Sequence, residues 1–198
     1  MIPQQAARIL ILDGHPDPDG ARFVHALAAS YAQGALAAGH DIRDLRLASL
    51  DFPLLRSNES FLHEQPPATI QAAQKELQWC SHLVVLYPLW LGAMPALLKG
   101  FLEQTLRPGF AFEQGSKGLP KKLLAGRSVR IVITMGMPAF FYRFYFRAHS
   151  LKSLERNILR FTGFAPIRST IIGSVETGDA NKRSRWLARM QQLGHAAK

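Results

Sequence analysis

Apolar residues fall into short unbroken runs, and the stretches between them repeat at helical spacing. Arg8–Asp13 reads RILILD, Leu83–Tyr87 reads LVVLY and Ser128–Thr134 reads SVRIVIT. Runs this short and rich in β-formers predict strands buried on both faces of a parallel sheet. Asp41–Leu47, DIRDLRL, carries charges between its apolar positions and suits a sheet edge. Ile167–Val175 contains a fifth strand. A helix is predicted from about Ala21 to Ala38, with Phe23, Leu27, Tyr31 and Gly34 on one face and Gly39 as its stop. Further helices are expected at Ala68–Trp79, after Pro95 and at Leu151–Phe161. A terminal helix groups Trp186, Met190 and Leu193. In the helix after Pro95, Leu97, Leu98, Phe101, Leu102, Thr105 and Leu106 keep the helical period, and Pro95 fits the first turn.

Three stretches show no period and are expected as long irregular connections: Ala48–Pro67, Arg107–Arg127 and the aromatic run Met135–Ser150. Five strands alternating with helices make an α/β protein, a three-layer sandwich on a five-stranded parallel sheet with right-handed crossovers. The expected strand order is 2-1-3-4-5, with the switch point between the first and third strands. No shift in composition divides the chain, so residues 1–198 are expected to form one domain.

Apolar content of 47% argues against disorder, and no apolar run approaches the ~18 residues of a membrane span. The first residues, MIPQQAARILIL, lack the layout of a secretory signal, which points to the cytoplasm. Cys80 is the single cysteine. It excludes an internal disulfide and a multi-cysteine metal site, and it reads as a packing residue at a helix end. The net charge of +10 raises the question of nucleic acid. The Lys and Arg residues are scattered and no nucleic-acid motif accompanies them. A basic solvated surface is the better reading, with attraction of phosphorylated nucleotides or of an acidic partner as the alternative.

Ligands of open α/β sheets bind at the carboxyl ends of the strands. Three loops leave such ends here. The first, Gly14–Gly20 (GHPDPDG), runs from a strand into a helix N-terminus, where free N–H groups and the helix dipole attract anions. It lacks the glycine patterns of dinucleotide folds and P-loops. His15 and Arg22 are its candidate phosphate donors; without a ligand they would be a turn residue and a solvated helix residue. The second loop, Pro88–Met94, holds Leu89, Trp90, Leu91, Gly92 and Met94, a surface for a planar group. The third begins at Thr134, where Thr134, Gly136 and nearby backbone N–H groups can bond the polar edge of a heterocycle. Tyr142 and His149 can donate to a substrate oxygen. The Phe140–Phe146 aromatics fit a lid, a core or a dimer contact. No Gly-x-Ser-x-Gly element is present, and His63, His82, His149 and His195 lie without metal-ligand spacing.

The segment Tyr87–Leu106, YPLWLGAMPALLKGFLEQTL, is similar to a Pro-Leu-x-Trp-x-x-x-Pro-Ala-x-Leu-Lys-Gly pattern. Together with ILDGHPD, VITMGMPAFFY and LERNILRFTGF, it makes the chain resemble the flavodoxin-like NAD(P)H:quinone oxidoreductases. That group includes the "modulator of drug activity" quinone reductases and the ancillary flavoproteins of potassium-efflux systems. The resemblance implies a bound flavin, FMN or FAD, with Pro88, Leu89, Trp90 and Leu91 on one side of its ring and Thr134, Met135 and Gly136 on the other. His15 and Phe23 would belong to its phosphate loop, and Tyr142 and His149 would contact nicotinamide or quinone. The family's Ser-Phe-Asn becomes Arg22-Phe23-Val24, which removes two polar contacts and tilts the expectation to FMN. Trp90 stands one place before the family tryptophan. The implied activity is hydride transfer from NAD(P)H through flavin to a quinone by ping-pong turnover, in a homodimer. The alternatives are a regulatory flavoprotein bound to a membrane transporter and an electron-carrier flavodoxin; carriers of that kind are usually acidic.

Overall fold

The computed structural model describes residues 6–113, 120–177 and 179–198. Five parallel strands form the sheet: β1 (Arg8–Asp13), β2 (Asp41–Arg46), β3 (His82–Pro88), β4 (Ser128–Thr134) and β5 (Ile167–Ile172), in the order 2-1-3-4-5. Register is continuous, with Asp13 opposite Arg46 and Leu86, and Pro88 opposite Thr134. Successive side chains of the inner strands enter opposite cores, as a pleated strand requires. Leu10 and Leu12 pack on one face, Ile9 and Ile11 on the other. β2 forms one edge, and its polar positions are exposed.

The face bearing Ile9 and Ile11 is covered by α1 (Phe23–Ala37) and the terminal helix Ala180–His195, which pack closely on each other. A side chain on Gly34 or Gly194 would run into the backbone of the opposing helix. α1 ends as predicted: Gly39 takes φ +77°, and the N–H groups of Gly39 and His40 return to Leu36 and Ala35. The other face carries α2 (Ala68–Trp79), α3 (Ala96–Thr105) and a helix built from His149–Ser153, a π-helical stretch Leu154–Leu159 and Arg160–Thr162. Cys80 caps α2 from a buried position, and burial pushes its thiol up to about 11, so it packs rather than reacts.

Several boundaries differ from the sequence reading. Pro88 closes β3 instead of following it, tolerable because the last strand position makes no donor demand. Met135–Ser150 is not irregular throughout, since Ala139–Phe144 is a helix introduced by Pro138, and Phe141 stacks on Tyr145 at 4.8 Å. Ala48–Pro67 contains a short helix, Asn58–Leu62, capped by Ser57. Arg107 ties this excursion down by donating to the carbonyls of Ser60 and Glu64 at 2.7 and 2.8 Å. The excursion Arg107–Arg127 holds a two-stranded ribbon, Phe112–Glu113 with Lys121–Lys122; residues 114–119 lie outside the described residues.

Candidate functional site

The three loops meet at the carboxyl end of the sheet. Gly14 makes this possible: its N–H donates to Leu86 at 2.7 Å, and an added Cβ would sit 2.9 Å from that carbonyl. His15 follows, buried, and its ring meets Trp90 edge-on at 5.8 Å. The second loop joins the third through the Leu89 N–H, which donates to Thr134 at 2.7 Å.

In the first loop nearly every polar group has a partner. The Asp17 N–H donates to His15 Nδ1 at 3.1 Å, so neutral His15 carries its hydrogen on Nε2. Burial, first, and the neighbouring His25 hold the His15 pKa below its ordinary value, so the ring is a neutral donor at pH 7. Asp17 and Asp19 accept from Asp19 N–H and Ala21 N–H at 2.9 and 3.0 Å. Arg22 is not a free cation: its Nε donates to Asp17 at 2.8 Å and its second arm pairs with the same carboxylate at 2.6 Å. The Asp17 pKa is lowered by the Asp19 N–H and by Arg22. What remains for an anion is His15 Nε2–H and the start of α1, which has no side-chain cap and no acid in its first turn. Phe23, the first residue of α1, is half-buried beside that end.

Sequence reasoning missed the floor of this loop. Asp13 and His25 are both buried, and the His25 Nδ1 pairs with the Asp13 carboxylate. A histidine in the first turn of a helix opposes the helix dipole and calls for an acid beneath it; that signal was present in the Asp13 to His25 stretch.

The second loop is a tight turn. Trp90 and Ala93 exchange two backbone hydrogen bonds of 2.9 Å, and the central residues Leu91 and Gly92 take φ +47° and +79°. Gly92 accommodates this freely; Leu91 does not, and its side chain is fully exposed. Trp90 is 48% exposed, whereas Pro88 is buried and contributes as the end of the strand.

Beside the turn lies a pocket of about 300 Å³ lined by Leu91, Gly92, Met137, Tyr142, Phe146, His149 and Ser150. Tyr142 and His149 are thus brought together. Tyr142 is buried, and its hydroxyl accepts the Leu151 N–H at 3.2 Å and lies 2.7 Å from Ser150 Oγ. His149 is exposed at the rim. Thr134 and Met135 are buried at the end of β4, and exposed Gly136 lies against the Glu176 carboxylate. No group of three or more His, Cys, Asp or Glu among the described residues is placed to hold a metal ion.

An open parallel sheet in the order 2-1-3-4-5, with loops converging at its switch point, defines a doubly wound α/β protein. Residues 7–193 match the family model described as "Flavodoxin-like fold", and the chain belongs to that family. It is 25% identical over 191 residues to a protein of Haemophilus influenzae described as an uncharacterized NAD(P)H oxidoreductase, covering 94% of each chain. It is 26% identical over 152 residues to a ribosyldihydronicotinamide dehydrogenase [quinone] of Pongo abelii, covering 70% of this chain and 63% of that one, so it spans less than two thirds of this relative. Its fold is shared by an FMN-dependent NADH-azoreductase of Bacillus anthracis solved with FMN, at 14% identity, a TM-score of 0.75 and coverage of 96% and 98%.

Proposed function

We propose that the protein is a flavin-dependent NAD(P)H oxidoreductase that reduces a quinone or similar acceptor. The observation that carries this reading is the contact between the anion loop and the apolar turn, with the pocket of Leu91, Met137, Tyr142 and His149 adjoining it. The residues fit a flavin. The uncapped start of α1 and His15 Nε2–H suit its phosphate, and Trp90, Leu91 and Met135 are apolar neighbours for its ring. Gly92 leaves space for close approach. Arg22 is engaged by Asp17, so the polar complement of the loop is small, which favours FMN over FAD. The flavin, when bound, supplies the hydride chemistry.

The chain itself orients, shields and supplies protons. Leu91, Met137 and Phe146 make an apolar enclosure that a nicotinamide and then a planar acceptor occupy in turn, one site giving ping-pong turnover. Tyr142 and His149 stand where an acceptor oxygen gains charge, and a donor there stabilises it. Phe140, Phe144 and Tyr145 expose more apolar surface than a monomer usually keeps, so we place this stretch in a twofold dimer contact beside the site. With its single buried cysteine the chain suits a reducing cytoplasm.

The test is reconstitution with FMN and with FAD, followed by NAD(P)H oxidation with and without a quinone. One flavin per chain and quinone-dependent turnover are expected. A protein that stays colourless with both flavins contradicts the reading. Sedimentation at micromolar concentration tests the dimer.

A further inference from the structure

Both ring nitrogens of His25 face groups that accept. Nδ1 pairs with Asp13 Oδ2, and Nε2 lies 3.1 Å from the Asp17 carbonyl. The ring is buried, 5.3 Å from that of His15. The other oxygen of Asp13 accepts the His15 N–H at 3.2 Å, and the Asp17 N–H returns to His15 Nδ1. These bonds close a circuit. His25 fixes Asp17 through its carbonyl, Asp17 fixes the tautomer and tilt of His15, and Asp13 fixes both histidines.

We propose that His25, locked between Asp13 and the Asp17 carbonyl, is the positioning residue of the anion loop. It sets His15 Nε2–H toward the flavin phosphate without touching the phosphate itself. Its own hydrogens are both engaged inside the loop. The inference rests on the flavin reading and deepens it: recognition of the cofactor's phosphate is carried by a neutral histidine held from below, not by an arginine. Arg22, on the loop's rim, is held by Asp17 and Asp19. Phosphate recognition is therefore sensitive to a residue that no phosphate oxygen contacts.

The test compares FMN with riboflavin, which lacks the phosphate, by fluorescence titration of the apoprotein. His25→Phe keeps ring volume and removes both donors. His25→Gln keeps one donor for Asp13. Losing one well-placed hydrogen bond to a charged group costs roughly tenfold or more in affinity. His25→Phe is expected to weaken FMN by about that factor and to leave riboflavin within about twofold, with His25→Gln in between. If His25→Phe does not fold, His25→Gln alone carries the comparison. Equal losses for both flavins, or unchanged FMN affinity, overturn the proposal while wild-type binding upholds the flavin reading. Wild-type protein that bound neither flavin would remove both together.

Discussion

At the amino end of the strands His82 stacks on Tyr31, centroids 6.4 Å apart; at the carboxyl end His25 sits on Asp13. Both rings are almost wholly buried. His82 bonds Ser128 Oγ through Nδ1 at 2.7 Å, and its Nε2 has no partner among the described residues. Burial first, then the Arg130 and Arg168 charges, push His82 down to about 4, so it is neutral at pH 7. Arg130 is buried nearby, its Nε also without a partner among the described residues. His25 has both nitrogens engaged. The two buried rings differ in what the second nitrogen meets: no partner among the described residues at one end, a backbone carbonyl at the other. The amino end encloses a neutral ring that packs. The carboxyl end holds the Asp13–His25 pair, which shapes a loop.

The largest expected effect comes from breaking the pair. Asp13→Ala removes the partner of both the buried His25 Nδ1 and the His15 N–H, and leaving these two buried groups unsatisfied costs about 3–5 kcal/mol. Urea denaturation at pH 7 reads this directly. A cost below ~1 kcal/mol would mean that the pair does not hold the loop and that the two ends are alike.

The next effect belongs to the amino end and follows pH. In the unfolded chain His82 takes its proton near 6.5, in the folded chain near about 4. Between those values the unfolded chain binds more protons, so stability falls as pH drops from 6.5 to 4 and this contribution changes no further below. The loss is about 3 kcal/mol, and His15 shifts in the same direction. His82→Leu should flatten the acid side of the stability profile by that amount. Calorimetry at pH 7 and pH 4.5 that showed the same drop in both proteins would contradict it.

The smallest effect concerns Tyr142. Its hydroxyl bridges Ser150 and the Leu151 N–H, so Tyr142→Phe is expected to cost about 1–2 kcal/mol of stability. It should also slow reoxidation of the reduced enzyme by a quinone several-fold while FMN affinity holds. Stopped-flow traces that match the wild type would reduce Tyr142 to a packing role.

Much of this architecture was legible from residues. The runs RILILD and SVRIVIT give β1 and β4 at their observed bounds, because strands buried on both faces leave no ambiguity of period. The parallel sheet followed from alternation with helices, and its order from a switch point between the first and third strands. The helix Ala139–Phe144 was not legible, since consecutive aromatics carry no amphipathic period and this helix keeps most of them exposed. The candidate site was legible as three loops, because loop position follows from strand ends. The engagement of Arg22 by Asp17 and the Asp13–His25 floor were not. Both depend on how the loop folds back on itself, which spacing alone does not encode. Pro88 and Leu91 show the same limit in a smaller way: one is buried in a strand, the other fully exposed in a turn, although they stand three residues apart.

Ligand chemistry is expected at the carboxyl end of the strands and packing at the amino end. Titrating the apoprotein with FMN and following backbone amide shifts tests it most directly. The largest shifts are expected at His15, Phe23, Trp90 and Met135–Met137, with His82 and Arg130 unmoved. Shifts centred on His82 and Arg130, or none at the carboxyl end at saturating FMN, would contradict it.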